Sequence, residues 1–314
     1  MFKNKQGKVR SGFNILLVII IFFVGTIAVS TIISLVATFI LMATGDLTIV
    51  GAQPILTERG TAINNTLIQA TMIIQEVTCI LVVVIAWTKV MKKKLSLMGM
   101  KSLKNSGKEF GVGLGIGIIA ILLVFAVIML TGNAKITDWT PQFSWGIVYS
   151  FIAFVFVGFA EEMLGRGYIM GVLRHTGNNK YVVFVLSMII FSAMHSLNYG
   201  MNAVSYLNLF LIGGAFAYMY YKSGNLWMCI GYHITWNFVQ GLVGFPVSGT
   251  KSAKLFDLVY ETDTIWNGGA FGPEGGLFVT AITILIIIFT YVYYKNNDYD
   301  YMAEDTSAVS EMHE

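Results

Sequence analysis

The sequence predicts an all-α polytopic membrane protein, with about eight transmembrane helices around an intramembrane cavity, and three observations carry that prediction. Of 314 residues, 56% are apolar and only 12% charged, with a mean hydropathy of +0.71, which leaves too few polar side chains to cover a water-soluble globule. The basic residues are distributed unevenly about the apolar runs. With a cytoplasmic N-terminus, sixteen of the twenty Lys and Arg fall inside and only Arg59, Lys135, Lys251 and Lys254 outside, an asymmetry that one span more or fewer would scramble. Finally, the run Ala160-Glu161-Glu162-Met163-Leu164-Gly165-Arg166 sets charged groups inside apolar sequence, where each costs roughly 2.5 to 3.5 kcal/mol on insertion scales.

In chain order, the first apolar segment covers about 13–43 and follows Lys3, Lys5, Lys8 and Arg10. A signal peptide has such a lead, but its apolar core is about 7 to 15 residues, and this one is about twice as long; it reads as an uncleaved span. Further segments lie near 62–88, 110–131, 143–174, 181–198, 204–221, 225–242 and 275–294, which places both termini in the cytoplasm of a cell-membrane protein. The organisation expected is three N-terminal helices in 1–142, a four-helix core in 143–243, an outer loop in 244–274, an eighth helix in 275–295 and an acidic tail in 296–314, expected to be disordered.

Gly111, Gly113, Gly115 and Gly117 open the third segment with no strand before them, so they predict close helix packing and not a phosphate loop. Cys79 and Cys229 both lie in apolar segments and read as small buried hydrophobes. The net charge of +3 is small and the basic residues sit in short loops, which argues against a nucleic-acid partner. Glu76, beside Gln75, is a further intramembrane acid that could line the same cavity, but it is expected to be a hydrogen-bonded structural residue outside the site. The glycine-rich outer loop fits either a lid or a connector.

Three polar clusters interrupt the helices of the core: Glu161-Glu162-x-x-x-Arg166, Phe191-x-x-x-His195 and His233-x-x-x-Asn237. Four-residue spacing puts Glu162 and Arg166 on one helix face, where they neutralise each other, while Glu161 points about 100° away and stays unpaired. Counted from the inner ends of their helices at 1.5 Å per residue, Glu161 and His195 lie roughly 20 Å deep and His233 and Asn237 roughly 12 and 18 Å. One slab of the membrane therefore holds all four, in a cavity expected to open toward the cytoplasm. No Ser or Cys nucleophile is paired with a base, so hydrolysis by an activated water suits this set. Glu161 would take the proton, His195 would orient the water, and His233 with Asn237 would donate to the oxyanion. Arg166 would anchor Glu162 and hold the helix register.

In this order on membrane helices, EExxxR, FxxxH and HxxxN resemble the CAAX-processing and bacteriocin-processing (CPBP, or Abi) family of intramembrane proteases, relatives of the type II CAAX prenyl endopeptidase. The resemblance covers roughly 143–243. It implies an endopeptidase acting on a peptide or protein substrate that enters from the membrane or cytoplasmic side, with Glu161 as water activator, His195 beside it, and His233 and Asn237 as oxyanion partners. Zinc is a conceivable cofactor, with Glu161, His195 and His233 as ligands. HExxH is absent, however, and Glu162 is committed to Arg166, so a metal-independent glutamate mechanism is preferred. A proton-coupled transporter and a non-enzymatic bacteriocin-immunity or scaffold protein are the alternatives, although no paired halves with matching broken helices are found.

Overall fold

The computed structural model describes residues 11–50, 53–260 and 262–303; the basic lead and the last part of the acidic tail lie outside them. Helix α1 (Ser11–Ala43) leads through the antiparallel hairpin β1 (Leu47–Val50) and β2 (Gln53–Leu56) into α2 (Glu58–Ile85). Thr57 caps α2 by accepting from the Gly60 N–H at 2.9 Å, and the helix runs on as π turns at Ala86–Val90. After a 3-10 turn at Leu95–Met98, helix α3 (Leu103–Leu130) leads to strand β3 (Lys135–Asp138). Helix α4 (Trp145–Glu162) changes to π geometry over Met163–Met170 and regains α geometry in the short α5 (Gly171–His175).

Asn179 caps α6 (Lys180–Met194), and an Asn202/Ser205 capping box starts α7 (Ala203–Ser223), which stops at left-handed Gly224. Helix α8 (Trp227–Leu242) is followed by the outer loop, whose strand β4 (Asp257–Val259) pairs antiparallel with β3, and then by α9 (Leu277–Tyr294).

Each expected apolar segment is helical, and six of the helical rods are long and apolar enough to cross a membrane, making this a multi-pass membrane protein. The expected count of eight does not follow. Helix α6 has 15 residues and α8 has 16, about 22 and 24 Å of rise against a hydrocarbon core of about 30 Å. The sixth helix stops short of 198 because His195 turns out of it as the C-cap, with φ −89° and ψ 1°. Helix α8 is buried on nearly every side, packed between α3 and α4.

The glycines of α3 divide by face. A Cβ on Gly113 or Gly117 would run into the Met228 and Tyr232 backbones of α8, whereas Gly111 and Gly115 face open space. Close packing is thus the role of two of the four. Across the same seam Thr235 Oγ1 donates to the Leu114 carbonyl at 2.9 Å.

The outer loop takes a definite form, and the expectation for the tail changes. The outer loop is folded and anchored: Phe245, Asn267 and Phe271 are buried, and the Asn267 carboxamide Nδ2 donates to the Asn133 and Thr262 carbonyls, both at 2.9 Å. The tail does not become disordered directly after α9. Tyr301 is buried at 1% exposure, its carbonyl accepts from Arg174 at 2.7 Å, and Lys222 Nζ donates to the Asn297 carbonyl at 2.6 Å. A large aromatic ring inside an otherwise acidic stretch is what docks it.

Candidate active site

The paired acids end α4. Glu162 is fully buried, and its Oε1 lies 2.9 Å from an Arg166 guanidinium nitrogen, the i,i+4 pair that the spacing predicts. Arg166 also donates to the Gly213 carbonyl of α7 at 3.2 Å and packs over the rings of Phe191 and Phe216, 4.2 and 5.0 Å from their centres. Directly after the two acids the helix opens into π turns, a local widening that recurs at functional sites.

Glu161 points elsewhere, into a cavity of about 410 Å³ walled by α1, α2, α4, α6, α8 and the strap Val247–Thr250 of the outer loop. Its side chain is 25% exposed, and its buried Oε2 has no hydrogen-bond partner among the described residues. That oxygen lies 3.7 Å from His195 Nε2 and 3.8 Å from His233 Nε2. Both imidazoles are oriented through their other nitrogen: His195 Nδ1 is 2.9 Å from the Phe191 carbonyl, and His233 Nδ1 is 3.0 Å from Glu162 Oε1. In neutral rings the Nδ1 atoms then carry the proton, and both Nε2 lone pairs face Glu161. Asn237, one turn beyond His233, lines the same cavity.

The structure therefore brings together Glu161, His195, His233 and Asn237, from α4, the end of α6, and α8, and sets Glu162 and Arg166 behind them as the support of His233. Glu76 was missed. It lines the same cavity, one turn before Cys79, whose thiol lies 3.9 Å from the Ala160 carbonyl, and among the described residues it makes no hydrogen bond of the structural kind expected for it. Its being an acid at an intramembrane position is the signal for that placement. The cavity extends to both sides of Glu161, with Gly165 and Ile169 lining it toward α5. Ile68, Met72 and Phe154 continue it into a second cavity, of about 480 Å³, at the start of α2 and α4. That is the end of the bundle carrying the outer loop, away from Arg174 and Lys180.

A zinc ion would find suitable donor chemistry in Glu161, His195 and His233, with Phe191 and Glu162 behind the rings. Zinc ligands at about 2.1 Å in tetrahedral array lie roughly 3.4 Å apart, and Glu161 Oε2 stands 3.7 and 3.8 Å from the two Nε2 atoms.

No curated protein and no solved structure matches the chain. Residues 143–239, which hold α4, α6, α7 and all three polar clusters, match the family model described as type II CAAX prenyl endopeptidase Rce1-like. Through that stretch the chain is similar to the type II CAAX peptidases.

Proposed function

We propose that this protein is an intramembrane endopeptidase of the cell membrane, with both termini in the cytoplasm, that cuts a peptide bond with a water activated by Glu161. The single observation that carries the reading is the convergence of Glu161 Oε2 with two imidazole Nε2 atoms at 3.7 and 3.8 Å. Those separations exceed a hydrogen bond but are short enough for one water to touch all three acceptors. Such a water donates one proton toward Glu161 and the other toward His195, leaving its lone pair for the substrate carbonyl. Glu161 takes the proton as the tetrahedral centre forms and hands it to the departing amine as the C–N bond breaks.

Asn237 Nδ2 donates to the oxyanion. His233 adds a second donor when its ring carries both protons, one N–H held by Glu162 and the other free at Nε2. Glu162 and Arg166 are positioning residues, since they reach the reacting atoms only through His233. The peptidase family favours this reading over a transporter or an immunity scaffold.

The test compares the membrane peptidomes of cells carrying the wild-type and the Glu161→Gln protein. Fragments cut within or beside membrane segments should be present only with the wild type. An unchanged peptidome sinks the reading. Activity of the purified protein should survive chelation, whereas loss to the chelator with recovery on added zinc would replace the glutamate mechanism by a metal-dependent one.

A further inference from the structure

Behind the two histidines a smaller cavity of about 50 Å³ is lined by Asn208, Ser248, Glu274 and Thr283 as well as by His195, His233 and Asn237. Glu274 stands in the turn Pro273–Gly275 just before α9, outside the membrane-spanning helices, and is buried. Its carboxylate accepts from Gln240 Nε2 at 2.7 Å, from the Ser248 N–H at 3.1 Å and from Ser248 Oγ at 3.3 Å. Gln240 Nε2 also donates to the Pro246 carbonyl at 2.6 Å, so one acid ties the strap 245–250 to α8 a turn beyond Asn237.

Ser248 is the strained point of that strap. Its φ of 45° is in the left-handed region that a residue with a Cβ avoids. Glu274 holds its N–H and hydroxyl, and Asn198 Nδ2, three residues beyond His195, donates to its carbonyl at 2.9 Å. A conformation so unfavourable persists where the surroundings over-determine it, and such residues gather at functional sites. Val247, Ser248 and Thr250 form the wall that this strap gives the catalytic cavity.

We propose that Glu274 is a positioning residue of the hydrolytic site, clamping the strap 245–250 as the outer wall against which substrate is held. The assignment rests on the peptidase reading above. The titratable groups facing Glu274 are Tyr232 of α8, Tyr260 of the outer loop and, across the small cavity, His195 and His233. Burial pushes the Glu274 carboxyl up to about 7, against the opposing pull of Gln240 and Ser248. The clamped state therefore keeps a proton that an opened, hydrated strap gives up near 4.5. By linkage the clamp is firmest at low pH, and its opening rises about tenfold between pH 6 and 8.

Hydrogen exchange of residues 245–250, corrected for intrinsic rates, tests the clamp in the full-length protein in lipid nanodiscs. Wild type should show that tenfold rise, Glu274→Gln should lose the pH step, and Glu274→Ala should open tenfold or more at both pH values. Wild-type protection in the alanine variant, or a pH step that survives in the glutamine variant, overturns the proposal; if the alanine variant does not fold, the glutamine variant decides alone. A farnesylated fluorogenic peptide with a CAAX end, chosen from the family match, supplies the kinetic readout. Glu274→Ala should raise KM tenfold or more with little change in kcat, and Glu274→Gln should recover most of the wild-type KM. A fall in kcat at constant KM, or no change, overturns the positioning role. If wild type leaves the probe intact, or Glu161→Gln cuts it at the wild-type rate, the peptidase reading fails and the positioning role with it, while the exchange data still decide the clamp.

Discussion

Glu161 and Glu162 share a peptide bond, yet they stand in two regions of opposite character. Behind Glu162 the helices close on one another, and its Oε1 meets both a guanidinium and an imidazole nitrogen within 3.0 Å. In front of Glu161 lies the cavity, where an oxygen has two imidazoles near it and a hydrogen bond to neither. The difference separates two tasks that a buried charge can have. A charge in a dry site must be paired or the fold suffers, whereas a charge beside a cavity can keep its lone pairs for a reactant.

Exchanging each acid for its amide tests that division most severely. Glu161→Gln removes the base and no hydrogen bond, so turnover should fall by at least about 100-fold while the thermal unfolding midpoint stays within a few degrees of wild type. Glu162→Gln should behave in the opposite order. It strands the Arg166 cation in a dry site, at a cost of about 3 to 5 kcal/mol, and should be seen first as lost folded protein in detergent. Combining Glu162→Gln with Arg166→Met removes both charges and should restore most of that stability without restoring activity, because an amide oxygen can still accept from His233 Nδ1 but no longer supplies the negative charge that favours its doubly protonated ring. Equal loss of stability in the two amide variants would break the comparison.

Much of this contrast was legible in the sequence because it is local to one helix. Four-residue spacing fixed the Glu162–Arg166 pair, the 100° step separated Glu161 from it, and common depth grouped His195, His233 and Asn237 with the acid. What depends on packing between helices was not legible. Periodicity on α2 does not say which neighbour Glu76 faces, and residue counts gave the depth of the cavity but not its walls. The π turns after Glu162 have no compositional signature, and the burial of Tyr301 and Glu274 arises from contacts with helices distant in sequence.

The smallest effect concerns the far side of α8, where the packed region can be probed without touching a charged group. Gly117 lies against the Tyr232 carbonyl and Thr235 of α8, one residue before and two after His233, and an added methyl there must push the helix away from α3. Gly115, two residues earlier on the same helix, has no atom within 4 Å of where its Cβ would stand. Gly117→Ala should therefore destabilise by about 1 to 3 kcal/mol, and Gly115→Ala should be neutral or stabilise by up to about 1 kcal/mol as the helix gains alanine's propensity. Because α8 also carries His233 and Asn237, its displacement should lower kcat in Gly117→Ala and leave Gly115→Ala at the wild-type value. Thermal unfolding and turnover measured side by side on the two variants check both. Should Gly117→Ala lose stability and keep its kcat, the packed side of α8 and its catalytic side are mechanically independent, and the seam with α3 serves the fold alone.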